Sequence, residues 1–281
     1  MLRQRVFTAL ILSLIAVGAM VWSPVAFAVV ATTVMGFALA EWLQLAGASR
    51  TLSIGLALVV GVALLAALLL TANGRDVVSP AVLPLSAFAC AIWLVLSALV
   101  VRRDAMALKL PRTLGIALAL VLVLAAWFAL MRLLREGIVV MLSVMFIVWI
   151  ADTAAYFSGR AFGRRKLAPH ISPGKTWAGV IGAVVAVVLI AFIVWLLTPA
   201  APVYSNALIA AVGGVAALLL LAWLVGISVI GDLFESLLKR QAGVKDSSQL
   251  LPGHGGVLDR VDAMVPVLPA AVMIQWLARG G

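Results

Sequence analysis

The acidic residues of this chain are concentrated near its C-terminus. Only ten Asp and Glu occur in 281 residues, and half of them lie in one short stretch: Asp232, Glu235, Asp246, Asp259 and Asp262. Four cations are interspersed with them: Lys239, Arg240, Lys245 and Arg260. Carboxylates bind Mg²⁺ and cationic side chains bind phosphate oxygens, so this mixture favours a site for Mg²⁺ and a polyphosphate. A network of salt bridges on a solvated helix end is the alternative that the residues alone leave open.

Two predicted helices and the loop between them carry this cluster. If the helix that contains Ile230 continues, one face collects Asp232, Glu235, Ser236 and Lys239. The loop reads Pro-Gly-His-Gly-Gly from 252 to 256, and its glycines allow the backbone to approach a ligand closely. The next helix begins near Val257, where free N–H groups favour a bound anion. His254 either donates to a phosphate or holds the loop.

A second polar segment, Ala151 to Gly179, contains the remaining candidates. Asp152 lies about one turn inside the end of an apolar block, where an unpaired acid is costly and therefore a functional candidate; an ion pair with Arg160 is the alternative. The segment also contains glycines, two hydroxyls and five cations, which suits an anion-binding loop: Ser172, Thr176, Arg160, Arg164, Arg165, Lys166 and Lys175. The run Gly174-Lys175-Thr176 is no Walker A motif, because Pro169 replaces its first glycine and no strand is predicted before it.

The composition predicts an all-α, polytopic integral membrane protein. Hydrophobic residues make up 65% of the chain and charged residues 11%, whereas soluble domains carry about 25% charged residues. The apolar blocks are long enough to cross about 30 Å of hydrocarbon as helices. The net charge of +10 does not indicate nucleic acid, because the cations lie between apolar blocks. Cys90, the single cysteine, excludes a disulfide framework and a cysteine-based metal site.

Nine transmembrane helices are predicted, at about 6–22, 25–45, 52–71, 81–101, 113–131, 137–157, 177–197, 207–230 and 257–277. The first two form a hairpin at Ser23-Pro24, and the last is kinked at Pro266 and Pro269. An N-in/C-out orientation puts sixteen of the twenty cations on the cytoplasmic side, as the positive-inside rule requires. The first span also resembles a cleaved signal peptide ending at Ala28, but another apolar span follows it directly, so we expect it to be retained.

The two polar segments resemble those of the phosphatidate cytidylyltransferases, or CDP-diacylglycerol synthases. The matching signature spans 27 residues and consists of Ser236, Lys239-Arg240, Lys245-Asp246, Leu251-Pro252, His254-Gly255-Gly256, Asp259-Arg260 and Asp262. The segment from Asp152 to Trp177 resembles the family's second conserved block. It departs from that block at Ala154, where glycine is usual, and it is followed by Ala178, where a glutamate often stands.

The resemblance implies that phosphatidic acid and CTP are converted to CDP-diacylglycerol and pyrophosphate in phospholipid biosynthesis. It implies Mg²⁺ as cofactor, with a monovalent cation such as K⁺ as a second metal. It also implies a homodimer in the cytoplasmic (inner) membrane, with the active site facing the cytoplasm. We expect one domain over residues 1–281, in which 1–135 supply N-terminal helices and 136–281 the catalytic helices and loops.

On this reading the candidate residues have three roles. Asp232 and Asp259, which end and begin the two facing helices, would be the central metal ligands, followed by Asp246 and Asp262. The groups expected to act on the CTP phosphates are Lys239, Arg240, Lys245, His254 and Arg260. The substrates would contact Asp152, Arg160, Lys166, Ser172, Lys175, Thr176, Ser236, Gly255 and Gly256. The lipid phosphate would attack the α-phosphorus of CTP in line, a reaction that depends on positioning and charge neutralisation.

Two other functions fit the sequence less well. A transporter of an anionic solute would bind near the bilayer midplane, between repeated halves, whereas these acids lie at helix ends and no repeat is visible. A phosphotransferase of the CDP-alcohol type would need a D-G-x-x-A-R motif, which the sequence lacks.

Overall fold

The computed structural model describes residues 2–72, 79–101, 106 and 110–280. These residues form eleven α-helices and two β-strands: α1 Leu2–Trp22, α2 Pro24–Leu45, α3 Arg50–Ala72, α4 Ser79–Val100, α5 Arg112–Glu136, α6 Ile138–Phe162, β1 Lys166–Ala168, β2 Ser172–Thr176, α7 Trp177–Leu197, α8 Tyr204–Val212, α9 Gly214–Gln241, α10 Leu258–Val261 and α11 Met264–Ala278.

Eight segments in the described part of the chain are long and apolar enough to span a membrane. They comprise α2 to α7, α9, and α10 with α11 taken together. The prediction of an all-α, polytopic membrane protein is thereby confirmed. In α1 the described apolar part runs from Leu10 to Trp22, so the ninth span and the N-in/C-out orientation stay predictions. Four cations used for that orientation lie outside the described residues: Arg75, Arg102, Arg103 and Lys109.

Two segments form the centre of the bundle and two others line its outside. In the most apolar 18-residue part of each segment, 61% of the residues of α5 and 67% of those of α10–α11 are buried, whereas 17% are buried in both α3 and α7. The buried face of α5 is rich in alanine, which lets neighbouring helices approach closely. The outer helices expose Leu, Ile and Val side chains, which the lipid of a bilayer would cover.

The predicted eighth span is wrong in its bounds. Gly213 has φ 83, a left-handed conformation that glycine adopts without strain, and it separates α8 from α9. The predicted helix from 207 to 230 is therefore two helices. The second of them, α9, continues past Ile230 to Gln241, so the acidic residues that follow Ile230 are helical.

The predicted ninth span is interrupted before its prolines. The helix is interrupted by a turn at Asp262 and Ala263, between α10 and α11, whereas Pro269 lies within a continuous α11. Pro266 has no N–H to donate to the carbonyl of Asp262, four residues earlier. The break therefore exposes that carbonyl to α9, at the start of the candidate site.

The middle of the second polar segment, from Lys166 to Thr176, folds into a β-hairpin that the sequence did not predict. Lys166 pairs with Thr176 and Ala168 with Ser172. The hairpin is attached to α9 because Arg240 Nε donates to the Ile171 carbonyl at 3.3 Å. Thr176 ends the hairpin and caps α7, since its Oγ1 accepts from the N–H of Gly179 at 3.1 Å.

Candidate functional site

A close contact between α9 and the α10–α11 turn brings two of the predicted metal ligands together. Gly231 packs against the Asp262 carbonyl and the Pro266 ring; a Cβ at Gly231 would lie 2.6 Å from that oxygen and 2.7 Å from Pro266 Cγ. Only glycine fits at this point. The contact places Asp232, the next residue of α9, beside Asp262.

Three carboxylates meet there. One oxygen from each of Asp232, Glu235 and Asp262 lies within 4.8 Å of the others. The Glu235 side chain is buried, and its Oε1 has no hydrogen-bond partner among the described residues. Its Oε2 lies 2.5 Å from Lys239 Nζ, but without the geometry of a directed hydrogen bond. Three acids within this distance, one of them buried, are a donor set that a hard divalent cation can bind.

Asp259, predicted as a central ligand, lies in a different environment. Its Oδ1 is 2.5 Å from Lys239 Nζ. Its Oδ2 accepts three hydrogen bonds, from Ser247 N at 2.9 Å, Ser247 Oγ at 2.9 Å and Gly256 N at 2.8 Å. Asp259 therefore binds Lys239 and the loop. The geometry favours Glu235 as the candidate metal ligand in place of Asp259.

The other predicted residues in the loop between α9 and α10 and at the start of α10 lie in different environments. Lys245 and Asp246 are exposed, and Asp246 lies outside the group of three carboxylates. Arg260 donates to the His254 carbonyl at 2.5 Å, which ties the loop to α10. Of the described residues, none bonds to His254 Nδ1. Gly255 and Gly256 pack against Asp259 and Ser247, so both glycines serve the loop conformation.

The anion expected at the start of the last span is a side chain of the protein itself. The N–H groups of Val257 and Leu258 donate to the carboxylate of Glu41, at 3.0 and 2.7 Å. Glu41 belongs to α2 and is buried. The expectation of a ligand-binding helix start is therefore corrected: an acid from the N-terminal hairpin occupies these donors.

A cavity of about 650 Å³ lies on the other side of Asp232. It is formed by α6, the hairpin, α7 and α9, and it brings together seven of the predicted residues: Asp152, Arg160, Lys166, Ser172, Lys175, Thr176 and Asp232. Lys175 Nζ lies 2.6 Å from Asp232 Oδ2 and so connects the cationic wall of the cavity to the three acids. On the acid side, Ser236 Oγ donates to Asp232 Oδ1 at 3.3 Å.

Glycines allow the wall of this cavity to form. A Cβ at Gly179 would lie 3.0 Å from the Ala155 carbonyl, and one at Gly163 would collide with the Thr176 side chain. Small residues therefore let α6 and α7 pack closely at the level of the hairpin.

Among the described residues, no ion pair joins Asp152 to Arg160, whose Nη1 instead donates to the Tyr156 hydroxyl at 3.4 Å. The ion-pair alternative for Asp152 is therefore wrong.

Sequence reasoning missed two residues of this site. Glu235 was recognised as part of the acidic cluster but was not assigned to a metal. Glu41 was not considered, although an acid inside an apolar span is costly to bury and is a functional candidate for that reason. The position of Glu41 within an apolar span was visible in the sequence and could have identified it as a candidate.

Comparison with known proteins supports the resemblance. The profile of the cytidylyltransferase family matches residues 3–278. A phosphatidate cytidylyltransferase of Pseudomonas aeruginosa is 37% identical over 294 aligned residues, which cover 100% of this chain and 99% of that protein. Proteins of the same name from Haemophilus influenzae and Thermotoga maritima are 49% and 40% identical over shorter regions, covering 48% and 50% of this chain and 44% and 50% of the relatives.

Proposed function

The chain belongs to the cytidylyltransferase family, which makes it a nucleotidyltransferase, and from this premise we propose that it transfers the cytidylyl group of CTP to phosphatidic acid. A phosphate oxygen of the lipid bonds to the α-phosphorus of CTP. The bond from that phosphorus to the oxygen of the β-phosphate breaks, and pyrophosphate leaves. The products are CDP-diacylglycerol and pyrophosphate. The relatives named phosphatidate cytidylyltransferase support this choice of substrates.

The observation that carries the proposal is the contact between Lys175 and Asp232. It joins a cavity lined by cations and hydroxyls to a cluster of acids, so phosphates and a metal would meet at one point. The volume of about 650 Å³ is in the usual range for small-molecule sites. Lys166, Lys175 and Arg160 would bind phosphate oxygens, while Ser172 and Thr176 would donate hydrogen bonds to them.

Asp232, Glu235 and Asp262 fit one Mg²⁺, and they would hold it. When bound, the ion would neutralise charge on the phosphates and orient them. Charge also favours this assignment. The network contains four carboxylates, with Asp259 as the fourth, and two ammonium groups, Lys175 and Lys239. The acids therefore outnumber the cations, and Asp152 in the cavity lining adds a further carboxylate, so a divalent cation would help to neutralise this group.

The lipid would reach the cavity from the membrane. Tyr156, Phe157 and Phe162 lie in the last turns of α6, beside the cavity, with 60%, 63% and 75% of their surfaces exposed. Aromatic side chains at a helix end are typical of the membrane–water interface. We therefore propose lateral entry of phosphatidic acid there and entry of CTP from the cytoplasm. A second, monovalent cation and the homodimer stay predictions.

An assay in detergent micelles tests this function. Purified protein is incubated with phosphatidic acid, radiolabelled CTP and Mg²⁺, with and without EDTA. We expect labelled lipid and free pyrophosphate in equal amounts, both abolished by EDTA. Folded protein that forms no labelled lipid over a range of lipids and divalent cations would contradict the proposal.

A further inference from the structure

Glu41 binds the loop of the candidate site from a distant part of the chain. It lies near the end of α2 with only 4% of its surface exposed. Its Oε1 accepts from Ser248 Oγ at 2.6 Å and from Val257 N at 3.0 Å. Its Oε2 accepts from Ser247 Oγ at 2.8 Å and from Leu258 N at 2.7 Å. Four donors therefore converge on one buried carboxylate, which satisfies a charge that would otherwise be costly to bury.

These contacts require a carboxylate. Each oxygen accepts one backbone N–H, from Val257 or from Leu258. A glutamine at this position would turn its NH₂ group towards one of the two N–H donors in either orientation of the amide. An aspartate would be one methylene too short to reach the same four donors. Because all four donors already occupy its oxygens, Glu41 has no role as a metal ligand or a general base.

A continuous chain of contacts joins Glu41 to the three acids. The Ser247 hydroxyl lies 2.8 Å from Glu41 Oε2 and 2.9 Å from Asp259 Oδ2, so its single hydrogen is shared by two carboxylates. Asp259 binds Lys239, and Lys239 Nζ lies 2.5 Å from Glu235. A displacement of Ser247 would therefore move Asp259 and Lys239, and with them the side chain of Glu235.

We propose that Glu41 is a positioning residue of the transferase reaction, which holds Ser247, Ser248 and the start of α10 so that Lys239 and Glu235 keep their positions beside Asp232 and Asp262, where the metal would bind. This inference rests on the proposed function. Through Glu41 the N-terminal hairpin becomes part of the site, although none of its described residues lines the cavity. Thr8 of α1 reaches the same loop, since its hydroxyl donates to the Pro252 carbonyl at 3.1 Å.

The test compares Glu41→Gln with Glu136→Gln. Glu136 also joins helices through its carboxylate, by accepting from Gln275 and Arg279, but it lies at the end of α5 far from the loop. We expect kcat of Glu41→Gln to fall about a hundredfold, with KM for CTP changed less than about threefold, because about 1 Å of displacement costs this much rate. We expect the control to retain both constants. An equal kcat in the two variants would overturn the proposal.

Amide exchange separates this inference from the proposed function. The N–H groups of Val257 and Leu258 should exchange faster in Glu41→Gln than in the wild type, while those of α5 keep their rates. If the wild type makes no labelled lipid but these amides still lose protection in the variant, the proposed function has failed and the contact stands. If the wild type is active and the amides exchange alike in both proteins, the inference about Glu41 has failed.

Ser247→Ala provides a second test should Glu41→Gln not fold. It removes the hydroxyl between the two carboxylates. Because hydrogen bonds to charged groups contribute more free energy than neutral ones, we expect kcat to fall about tenfold or more. Ser143→Ala is the matched control, because Ser143 Oγ accepts from Tyr204 N away from the site. The double variant Glu41→Gln/Ser247→Ala should lose little more than Glu41→Gln alone, since both act along one path. Full activity in Ser247→Ala would contradict the proposed chain of contacts from Glu41 to Glu235.

Discussion

Two clusters of charged residues lie at opposite ends of the same helical bundle, and they differ in how well their charges are balanced. At one end, Glu136 is surrounded by Arg132 Nε at 3.2 Å, Arg279 at 3.3 Å and Gln275 at 2.5 Å. At the other end, Asp232, Glu235 and Asp262 share Lys175 and Lys239 with Asp259. The first cluster has one acid for two cations, and the second has four acids for two.

The difference separates a structural contact from a binding site. Glu136 is fully satisfied by neighbouring donors and adjoins a cavity of only about 180 Å³. The acids of the site outnumber the cations that contact them, and they lie next to the cavity of about 650 Å³. Buried charges without partners are costly, so an excess of this kind supports the proposed cation site.

The largest expected effect comes from removing one of the three acids. Asp262→Asn should lower kcat about a hundredfold to a thousandfold, because a charge that would hold the metal at the transferring phosphates is lost. The enzyme assay on purified, folded protein measures this. The same change in the other cluster, Glu136→Gln, should leave kcat within about twofold. Comparable losses in both would erase the distinction between the clusters.

A methyl group added at Gly231 should also disturb the site, because it would disrupt the packing of α9 against α10. Gly231→Ala would place Cβ 2.6 Å from the Asp262 carbonyl, which forces α9 and α10 apart. Overpacking of this kind costs about 1–3 kcal/mol, and we expect both a lower melting temperature and a kcat reduced about tenfold. Gly226→Ala in the same helix is the matched control, since nothing lies within 4 Å of its Cβ. A Gly231→Ala variant with wild-type activity would show that the close approach does not position Asp262.

The cavity wall should affect substrate binding more than the chemical step. Lys175→Met removes the ammonium group between the acids and the cavity, and we expect KM for CTP to rise about tenfold. Arg50→Met provides the comparison, because Arg50 is an exposed cation at the start of α3, outside the cavity lining. If both variants raised KM equally, a general electrostatic attraction would explain the effect better than a contact in the cavity.

The smallest effect is expected at the Glu136 cluster. Arg279→Met leaves Glu136 its contacts with Arg132 and Gln275, and the arginine of the lost ion pair is about half exposed. Such pairs contribute about 0–1 kcal/mol, so the melting temperature should fall by no more than a few degrees and kcat should not change. A large loss of activity would mean that the two ends of the bundle are coupled.

The sequence predicted the membrane helices and both polar segments because hydropathy and charge are local properties. Asp232 and Lys175, 57 residues apart, were both selected on residue type and position alone. The hairpin at 166–176 was missed because its strands are short and carry no alternating pattern. The break at Gly213 was missed because a glycine inside an apolar block is common in membrane helices.

The division of roles within the acids depended on contacts between distant residues. Asp259 and Glu235 look equivalent as acids near helix ends, and only the donors from Ser247 and Gly256 show that Asp259 is already occupied. Glu41 reaches Leu258 across 217 residues. No spacing rule connects positions so far apart, although the cost of burying its charge already marks Glu41 as unusual.

We propose above all that Asp232, Glu235 and Asp262 hold one divalent cation. Mn²⁺ binding to the purified protein, followed by electron paramagnetic resonance, measures this without any enzymatic step. We expect one Mn²⁺ per chain in the wild type and in Glu136→Gln, and a strongly weakened site in Asp262→Asn and in Glu235→Gln. Mn²⁺ binding that is unchanged when Asp262 and Glu235 are neutralised would contradict this proposal.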